Sequence, residues 1–114
     1  HGVGFFSNVH EGPQSITKIN TVKLKKGMIV SNEPGYYKKG HYGIRIENLV
    51  YIKKISKKLN FENLTLVPIE KDLINFNLLT NKEKNYLFQY HLNVYSKISK
   101  FLNNNERKWL ASLI

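Results

Sequence analysis

The chain has 114 residues, enough for about one small domain, and a formal net charge of +10. Of its 18 basic residues only Arg45 and Arg107 are arginine, and lysine alone is poorly suited to the bidentate contacts that read bases and phosphates. It contains no cysteine, which excludes disulfides and thiol chemistry, and it lacks the run of ~20 apolar residues that a membrane helix needs. We therefore expect no nucleic-acid partner, no membrane partner and a cytoplasmic, reducing location.

The first thirteen residues are rich in glycine and histidine and predict a tight, partly buried loop or short strand. Gly2 and Gly4 permit backbone angles that other residues avoid. The same segment carries two imidazoles, His1 and His10. Residues 14–20 are polar and predict a surface loop.

Two short strands are predicted before the middle of the chain, at residues 21–24 and 28–33. The sequence Lys25-Lys26-Gly27 between them indicates a turn. The second strand ends at Glu33, because Pro34 constrains the preceding residue to extended geometry and lacks an N–H of its own.

The stretch 41–52 alternates between apolar and other residues and predicts one central β-strand. A guanidinium and a carboxylate, on Arg45 and Glu47, share one predicted face, and Glu33 supplies a second carboxylate from the preceding strand. Carboxylates and imidazoles at fixed positions are typical ligands of divalent metals. The simpler interpretation also stands, in which the glutamates form ion pairs and the histidines form structural hydrogen bonds. The predicted faces are Ile44, Ile46, Val50 and Ile52 on one side and Arg45, Glu47, Leu49 and Tyr51 on the other.

After the central strand, residues 53–60 predict a basic hairpin loop, residues 61–69 a further strand and residues 70–79 an irregular bridge. Thr80 and Glu83 then fit a capping box. Apolar residues at helical spacing follow, so an amphipathic helix is predicted from Asn81 to about Leu102. Asn105 is the predicted cap of a short last helix around Trp109. Strands first and helices last indicate an α+β fold.

Four segments of the chain carry a family resemblance. They are His1-Gly2-Val3-Gly4, Asn8-Val9-His10-Glu11-Gly12-Pro13, Ser31-Asn32-Glu33-Pro34-Gly35-Tyr36-Tyr37 and Gly43-Ile44-Arg45-Ile46-Glu47-Asn48. Taken together and in order, they look like the C-terminal half of aminopeptidase P, the Xaa-Pro aminopeptidase of the pita-bread metallopeptidases. The nine-residue spacing of His1 and His10 is similar to the longer, three-domain form of that enzyme. The resemblance implies the C-terminal half of a pita-bread catalytic domain at residues 1–58, with a mainly antiparallel curved sheet, and a helical C-terminal extension at 59–114.

The resemblance also implies roles for the residues that match its motifs. His1 and Glu33 match ligands of one metal of a dinuclear centre, and Glu47 matches the glutamate that bridges both metals. The metals are implied to be two divalent ions, usually Mn²⁺ and sometimes Zn²⁺ or Co²⁺.

Four further residues match positions beside the metals. His10 matches a catalytic histidine that hydrogen-bonds substrate or moves a proton, and Arg45 matches an arginine close to the site. Tyr36 and Tyr37 match aromatic positions next to it, so all four are predicted to contact substrate. The implied reaction releases the N-terminal residue of a peptide with proline in second position, by attack of a metal-bound hydroxide.

Two aspartate ligands of the resembled site have no counterpart, since Asp72 is the only aspartate and matches neither position. We therefore expect an incomplete site and little or no peptidase activity from this polypeptide alone. The implied partners are the peptide substrate and either a second copy of the chain or a complementing N-terminal half.

Two other interpretations remain open. In the first, the chain is a non-catalytic interaction or dimerisation piece, whose long helix at 81–102 and Trp109 helix present an apolar face. In the second, it is a basic nucleic-acid binder, although no interleaving of aromatic and basic residues of the RNA-reading type is evident.

Overall fold

A computed structural model describes all residues from 1 to 114 and divides the chain into two compact units, His1–Thr65 and Leu66–Ile114. The first unit contains every strand and the second every helix. The strands are β1 (Gly2–Val3), β2 (Ile29–Asn32), β3 (Gly35–Lys38), β4 (Tyr42–Arg45), β5 (Asn48–Ile55) and β6 (Lys58–Asn63), and the α-helices are α1 (Asn81–Ile98) and α2 (Asn104–Ser112).

The strands form two antiparallel sheets. Four strands lie in the order β1-β2-β5-β6, and β3 pairs with β4 in a separate two-stranded ladder. The predicted α+β class with antiparallel strands and C-terminal helices is therefore confirmed.

The predicted single strand at 41–52 is wrong, because the structure breaks it between β4 and β5 at Ile46 and Glu47. The break has a cause in the partner strand. Ile46 donates its N–H to the Pro34 carbonyl at 3.2 Å, but Pro34 has no N–H to return the second bond of that pair. The ladder therefore loses a bond at this position and resumes on either side of it.

A small apolar core lies on one face of the four-stranded sheet. Val30, Val50 and Ile52 are buried there, and Leu24 and Met28 pack against them. The buried side chains alternate with less buried ones along β5, as a strand with one covered face requires, and Val30 of β2 pairs with Val50 on the same face. Ile44 and Ile46 were predicted on the same apolar face, but they are 44% and 45% exposed because they precede the point where β5 joins this sheet.

Two loop-and-strand predictions in the first unit are wrong. Residues 21–24 form no strand, because the Asn20 side chain accepts the Val22 N–H at 2.7 Å and gives the backbone a local partner. The basic stretch 53–60 is mostly strand, since β5 continues to Ile55 and β6 begins at Lys58.

The strand predicted at 61–69 consequently begins earlier and ends at Asn63. Because β6 pairs with β5 along its length, the first unit extends to Thr65. The resemblance implied a boundary between the catalytic domain and the C-terminal extension at 58/59, and that boundary stays a prediction.

The helices begin with side-chain caps. The predicted capping box is confirmed, with Thr80 and Glu83 each accepting the other's backbone N–H. α1 ends at Ile98 rather than near Leu102, because a 3₁₀ turn, Ser99–Phe101, follows it. The predicted cap at Asn105 is wrong: Asn103 caps α2.

The predicted apolar stripe of α1 is buried only in its middle, at Tyr90 and Val94, whereas Phe101 at its end is 76% exposed. The Tyr90 hydroxyl donates to the Val67 carbonyl at 2.7 Å, and His91 Nε2 accepts the Ile69 N–H at 3.0 Å. Burial lowers the pKa of His91, which is 6% exposed. These bonds attach the extended segment that enters the second unit to α1.

The bridge at 70–79 contains two short 3₁₀ helices, Lys71–Leu73 and Phe76–Leu78. No helix in the structure has both the length and the apolar character needed to span a membrane.

Candidate metal centre

The β2–β5 and β3–β4 ladders share one continuous pairing register. β2 and β5 pair Ser31 with Leu49 and Asn32 with Asn48, while β3 and β4 begin at the pair Gly35–Arg45. The intervening positions, continued in the same register, place Glu33 directly opposite Glu47. The hydrogen-bonded pairs fall on even-numbered residues, such as Ile46 with Pro34. Glu33 and Glu47 therefore occupy the type of position at which opposed side chains approach most closely.

Glu33 and Glu47 share one face of both ladders with the other odd-numbered residues, because side chains alternate between the two faces of a strand. These residues run from Ser31 to Tyr37 on one side of the hairpin and from Gly43 to Leu49 on the other. The predicted sharing of a face by Arg45 and Glu47 thus survives the break between their strands, since the interruption preserves the register. The first sheet contributes His1, whose carbonyl accepts the Ser31 N–H at 2.8 Å.

The side chains of His1, Glu33 and Glu47 converge on this face. One ligand atom from each lies within 4.8 Å of the others, and His1 Nε2 is 3.2 Å from Glu33 Oε1. Two carboxylates that face each other in adjacent strands repel, so the arrangement requires positive charge nearby. An imidazole and two carboxylates form a donor set that suits Mn²⁺, Zn²⁺ or Co²⁺.

The His1 ring is fixed by its own backbone. Its Nδ1 lies 2.8 Å from the Gly2 carbonyl oxygen, and the tautomer that carries the proton on Nδ1 donates this bond. That tautomer leaves the Nε2 lone pair toward Glu33. A second-shell hydrogen bond of this kind is the usual device that orients a metal-binding histidine, so the residues present fit a divalent cation.

Arg45 supplies the positive charge that the protein itself contains. Its guanidinium nitrogens are 3.7 Å from Glu33 Oε2 and 3.4 Å from Glu47 Oε2. The pKa of Arg45 is raised, chiefly because the guanidinium hydrogen-bonds to the Tyr37 side chain and then because of the carboxylates. Arg45 offsets part of the carboxylate charge and leaves the oxygens that face His1 available to a cation.

The Tyr37 ring lies over two glycines of the β3–β4 ladder. A Cβ at Gly43 would lie 2.7 Å from Tyr37 Cδ1, and a Cβ at Gly35 would lie 2.6 Å from the Tyr37 hydroxyl oxygen. Any larger residue would displace the ring. The two glycines therefore give the phenol the space in which it reaches Arg45.

The two tyrosines that were predicted together lie on opposite faces of this ladder. Tyr37 pairs with Gly43 on the face of Arg45, whereas Tyr36 pairs with Ile44 on the other face. There the Tyr36 ring lies 6.2 Å from the Tyr42 ring. Of the two, only Tyr37 shares the face of the cluster.

His10 returns to the cluster through a short loop. Glu11 donates its N–H to the Gly2 carbonyl at 3.1 Å, and its side chain accepts the Asn8 N–H at 2.8 Å. The His10 ring then packs edge-on against the His1 ring, with their centroids 4.5 Å apart. His10 is exposed beside the three candidate ligands and is not one of them.

Asp72 is not a member of the cluster. It lies in the 3₁₀ helix Lys71–Leu73 of the second unit.

Sequence reasoning missed two features of the site. The first is Ser31, which lies two residues before Glu33 and therefore on the same strand face. The second is the pair Gly35 and Gly43, whose role depends on the pairing of β3 with β4. The alternation of β2 was a usable signal for Ser31, whereas a single sequence contains no signal for the glycine pair.

Two family models match consecutive parts of the chain. Residues 1–54 match the model described as metallopeptidase family M24, and residues 57–113 match the model described as the C-terminal region of peptidase M24. The two matches together span nearly all of the chain.

Individual relatives agree with these models. A Coprinopsis cinerea protein named as a probable Xaa-Pro aminopeptidase P is 48% identical over 96% of the chain and 20% of its own length. The Dictyostelium discoideum Xaa-Pro aminopeptidase 1 is 42% identical over 100% of the chain and 20% of its own length. The chain thus spans about a fifth of the length of these relatives.

A solved structure is similar to the whole chain. The X-prolyl aminopeptidase from Caenorhabditis elegans, described as a cytosolic enzyme with a di-nuclear active site, is 38% identical, with a TM-score of 0.82. The similarity covers 99% of this chain and 20% of that one.

Proposed function

Because the chain belongs to the metallopeptidase family M24, we propose that it contributes three metal ligands, His1, Glu33 and Glu47, to an Xaa-Pro aminopeptidase. Its family and its fold, the C-terminal half of a pita-bread domain followed by a helical extension, agree with the resemblance noted in the sequence. The observation that carries the proposal is the convergence of the three ligand atoms within 4.8 Å, with Glu33 and Glu47 on one face of one hairpin and His1 reaching it from the N-terminal segment.

The reaction is the release of an N-terminal residue from a peptide with proline in second position. Divalent cations, when bound, activate water as the nucleophile and stabilise the developing oxyanion. His10 lies exposed beside His1, where its imidazole can hold or transfer a proton next to the scissile bond. Arg45 holds both carboxylates in place, and Tyr37 holds Arg45. Tyr36, on the far face of the ladder, contacts a more distant part of the substrate.

The complete enzyme has two metal ions, with Mn²⁺ the preferred occupant and Zn²⁺ or Co²⁺ the alternatives. The di-nuclear active site described for the Caenorhabditis elegans relative supports the number. One imidazole and two carboxylates are too few donors for two cations, which together need several more oxygen ligands. The chain alone therefore binds one cation weakly and has little or no peptidase activity.

The further ligands would come from a complementing N-terminal half. A homodimer is the other proposed assembly. The cytosolic description of the Caenorhabditis elegans relative supports a cytoplasmic location. A second candidate function, a non-catalytic interaction piece, is favoured by one observation: Phe101 and Trp109 of the helical unit are 76% and 63% exposed. Light scattering of the purified chain distinguishes a dimer from a monomer.

A calorimetric Mn²⁺ titration tests the site. We expect one site per chain in the wild type and a loss of roughly 100-fold in affinity in Glu47→Ala, because a direct ligand contributes at least as much as an outer partner, whose loss costs up to about 100-fold. The matched control is Glu62→Ala, since Glu62 is an exposed carboxylate of the same unit that pairs with Lys53 at 2.9 Å. Equal affinity in the wild type and Glu47→Ala would refute the site.

An activity assay tests the second half of the proposal. Cleavage of an Xaa-Pro peptide by the chain with excess Mn²⁺ is expected to be close to the rate without protein. Turnover comparable to that of an intact family enzyme would contradict the claim that three ligands are too few.

A further inference from the structure

Ser31 carries a buried hydroxyl that contacts two of the proposed metal ligands, His1 and Glu33. Its side chain is 1% exposed. Its Oγ donates to Glu33 Oε1 at 2.7 Å and lies 3.0 Å from the main-chain nitrogen of His1, which donates to it. Its own backbone N–H donates to the His1 carbonyl at 2.8 Å.

The position of Ser31 follows from the sheet. The residues on either side of it in β2 are Val30, which is in the apolar core, and Asn32. By alternation Ser31 points to the opposite face, where Leu49 is its partner in β5 and Glu33 is the next residue on the same side. A hydroxyl is therefore buried on the face of β2 that lies opposite the apolar core and carries Glu33.

A buried hydroxyl at this place constrains the Glu33 carboxylate. Glu33 Oε1 accepts from Ser31 and also lies 3.2 Å from His1 Nε2, while Oε2 lies 3.7 Å from the Arg45 guanidinium. The bond to Ser31 fixes the rotation of the carboxylate, so that one oxygen faces the imidazole and the other faces the guanidinium. Partners of this kind around a metal ligand hold it in its binding orientation.

We propose that Ser31 is a positioning residue, which orients Glu33 toward His1 so that the two form one half of the metal site before any cation binds. This proposal rests on the proposed function, in that the cation is the one assigned to His1, Glu33 and Glu47. It goes further in assigning the preformed geometry to a single hydroxyl. Without it, the Glu33 carboxylate keeps only its contacts with His1 and Arg45. Its rotation is then less restricted and must be ordered at the moment of binding, which costs free energy.

The test compares three variants of the full chain. Ser31→Ala removes the hydroxyl, Ser31→Thr keeps it on a β-branched residue that suits a strand, and Val30→Ala removes buried volume from the opposite face of the same strand. Mn²⁺ affinity is measured by calorimetry. We expect a loss of about 10-fold to 100-fold in Ser31→Ala, a value within about threefold of wild type in Ser31→Thr, and no change in Val30→Ala at a temperature where it remains folded.

A metal-free crystal structure of each variant gives a second readout. We expect the contact between Glu33 Oε1 and His1 Nε2 to be lost in Ser31→Ala and kept in Ser31→Thr. Retention of this contact in Ser31→Ala, or equal Mn²⁺ affinity in Ser31→Ala and wild type, would overturn the proposal.

Failure of the proposed metal site and failure of the positioning role of Ser31 give different results. If the wild type binds no Mn²⁺, the proposed function fails, and the metal-free structures still decide the role of Ser31. If Glu47→Ala loses affinity and Ser31→Ala does not, the site stands and the positioning role is wrong. An affinity loss in Val30→Ala equal to that in Ser31→Ala would mean that any weakening of β2 is sufficient, which also overturns the positioning role.

Discussion

The two units of the chain use their polar side chains differently. In the first unit, the bonds around the candidate site join segments that are distant in sequence, as in the contact of His1 with Ser31, thirty residues away. In the second unit, the side chains of Thr80 and Asn103 bond to backbone only three residues further along. Polar groups in the helical unit therefore cap helices and, at Tyr90 and His91, join residues 67–69 to α1. Those in the sheet unit also bring charged side chains together.

The charges of the sheet unit agree with the proposed metal site. Local caps stabilise a helix without placing like charges side by side. The sheet unit instead holds Glu33 opposite Glu47, offsets part of their charge with Arg45 and places the His1 ring beside Glu33. An arrangement that is costly without a cation and favourable with one is expected at a binding site rather than in a purely structural element.

The largest effect on stability is expected from Gly43→Ala, which tests the glycine space under Tyr37. The new Cβ would lie 2.7 Å from Tyr37 Cδ1, so the ring must move and release Arg45. We expect the free energy of unfolding in urea to fall by about 1 to 3 kcal/mol, with the helical unit unaffected. The control is Gly12→Ala, since a Cβ there meets nothing within 4 Å; an equal loss in this control would contradict the explanation.

A smaller effect is expected from Thr80→Ala, which removes the cap of α1. The lost bond from the Glu83 N–H to the Thr80 hydroxyl leaves a helix N–H unpaired, and such a substitution costs about 1 kcal/mol. The helical circular dichroism should melt earlier while Mn²⁺ binding remains unchanged. Ser96→Ala is the matched control, because Ser96 lies within α1 and its hydroxyl bonds only to the Asn93 carbonyl. Loss of metal binding in Thr80→Ala would show that the two units are not independent.

A pH dependence of the helical unit is expected as well. The pKa of His91 is lowered, chiefly by burial and further by the charge of Lys71, while the contact with the Ile69 backbone acts in the opposite direction. Because the folded pKa lies below the unfolded one, stability is complete above the unfolded value of about 6.5 and is lost as pH falls through the folded value.

Urea unfolding between pH 8 and pH 5 measures this dependence. The wild type should lose at most about 1.4 kcal/mol per pH unit through this group below pH 6.5, and His91→Gln should lack that component. His41→Gln is the control, since His41 is exposed in the first unit. Identical pH profiles in the wild type and His91→Gln would contradict the role of the buried imidazole.

The same contrast explains how much the sequence could predict. The start of α1 could be predicted because Thr80 and Glu83, which form its capping box, lie only three residues apart in the sequence. The cap of α2 was misplaced because three successive asparagines can all cap a helix, and the choice is made by Glu106, which completes a capping box with Asn103. Local features of the second unit were therefore accessible, including the one that was missed.

The first unit was less accessible because its features depend on pairing. The break at Ile46 and Glu47 is caused by Pro34 in the opposing strand, which no reading of the stretch 41–52 alone can include. The lysine-rich end of β5 resembled a loop, although its backbone is paired with β6. The three candidate ligands were identified from their residue types and family motifs, and their distances required the register.

The most direct test of the account is the place at which Mn²⁺ binds. Substoichiometric Mn²⁺ is added to ¹⁵N-labelled chain, and the paramagnetic broadening of each amide signal is recorded. We expect broadening to begin at Gly2, Ser31, Glu33 and Glu47, before it reaches Glu62, an exposed carboxylate of β6 in the same unit. Broadening that begins at Glu62, or none at Glu33 and Glu47, would contradict the claim that His1, Glu33 and Glu47 form a metal site.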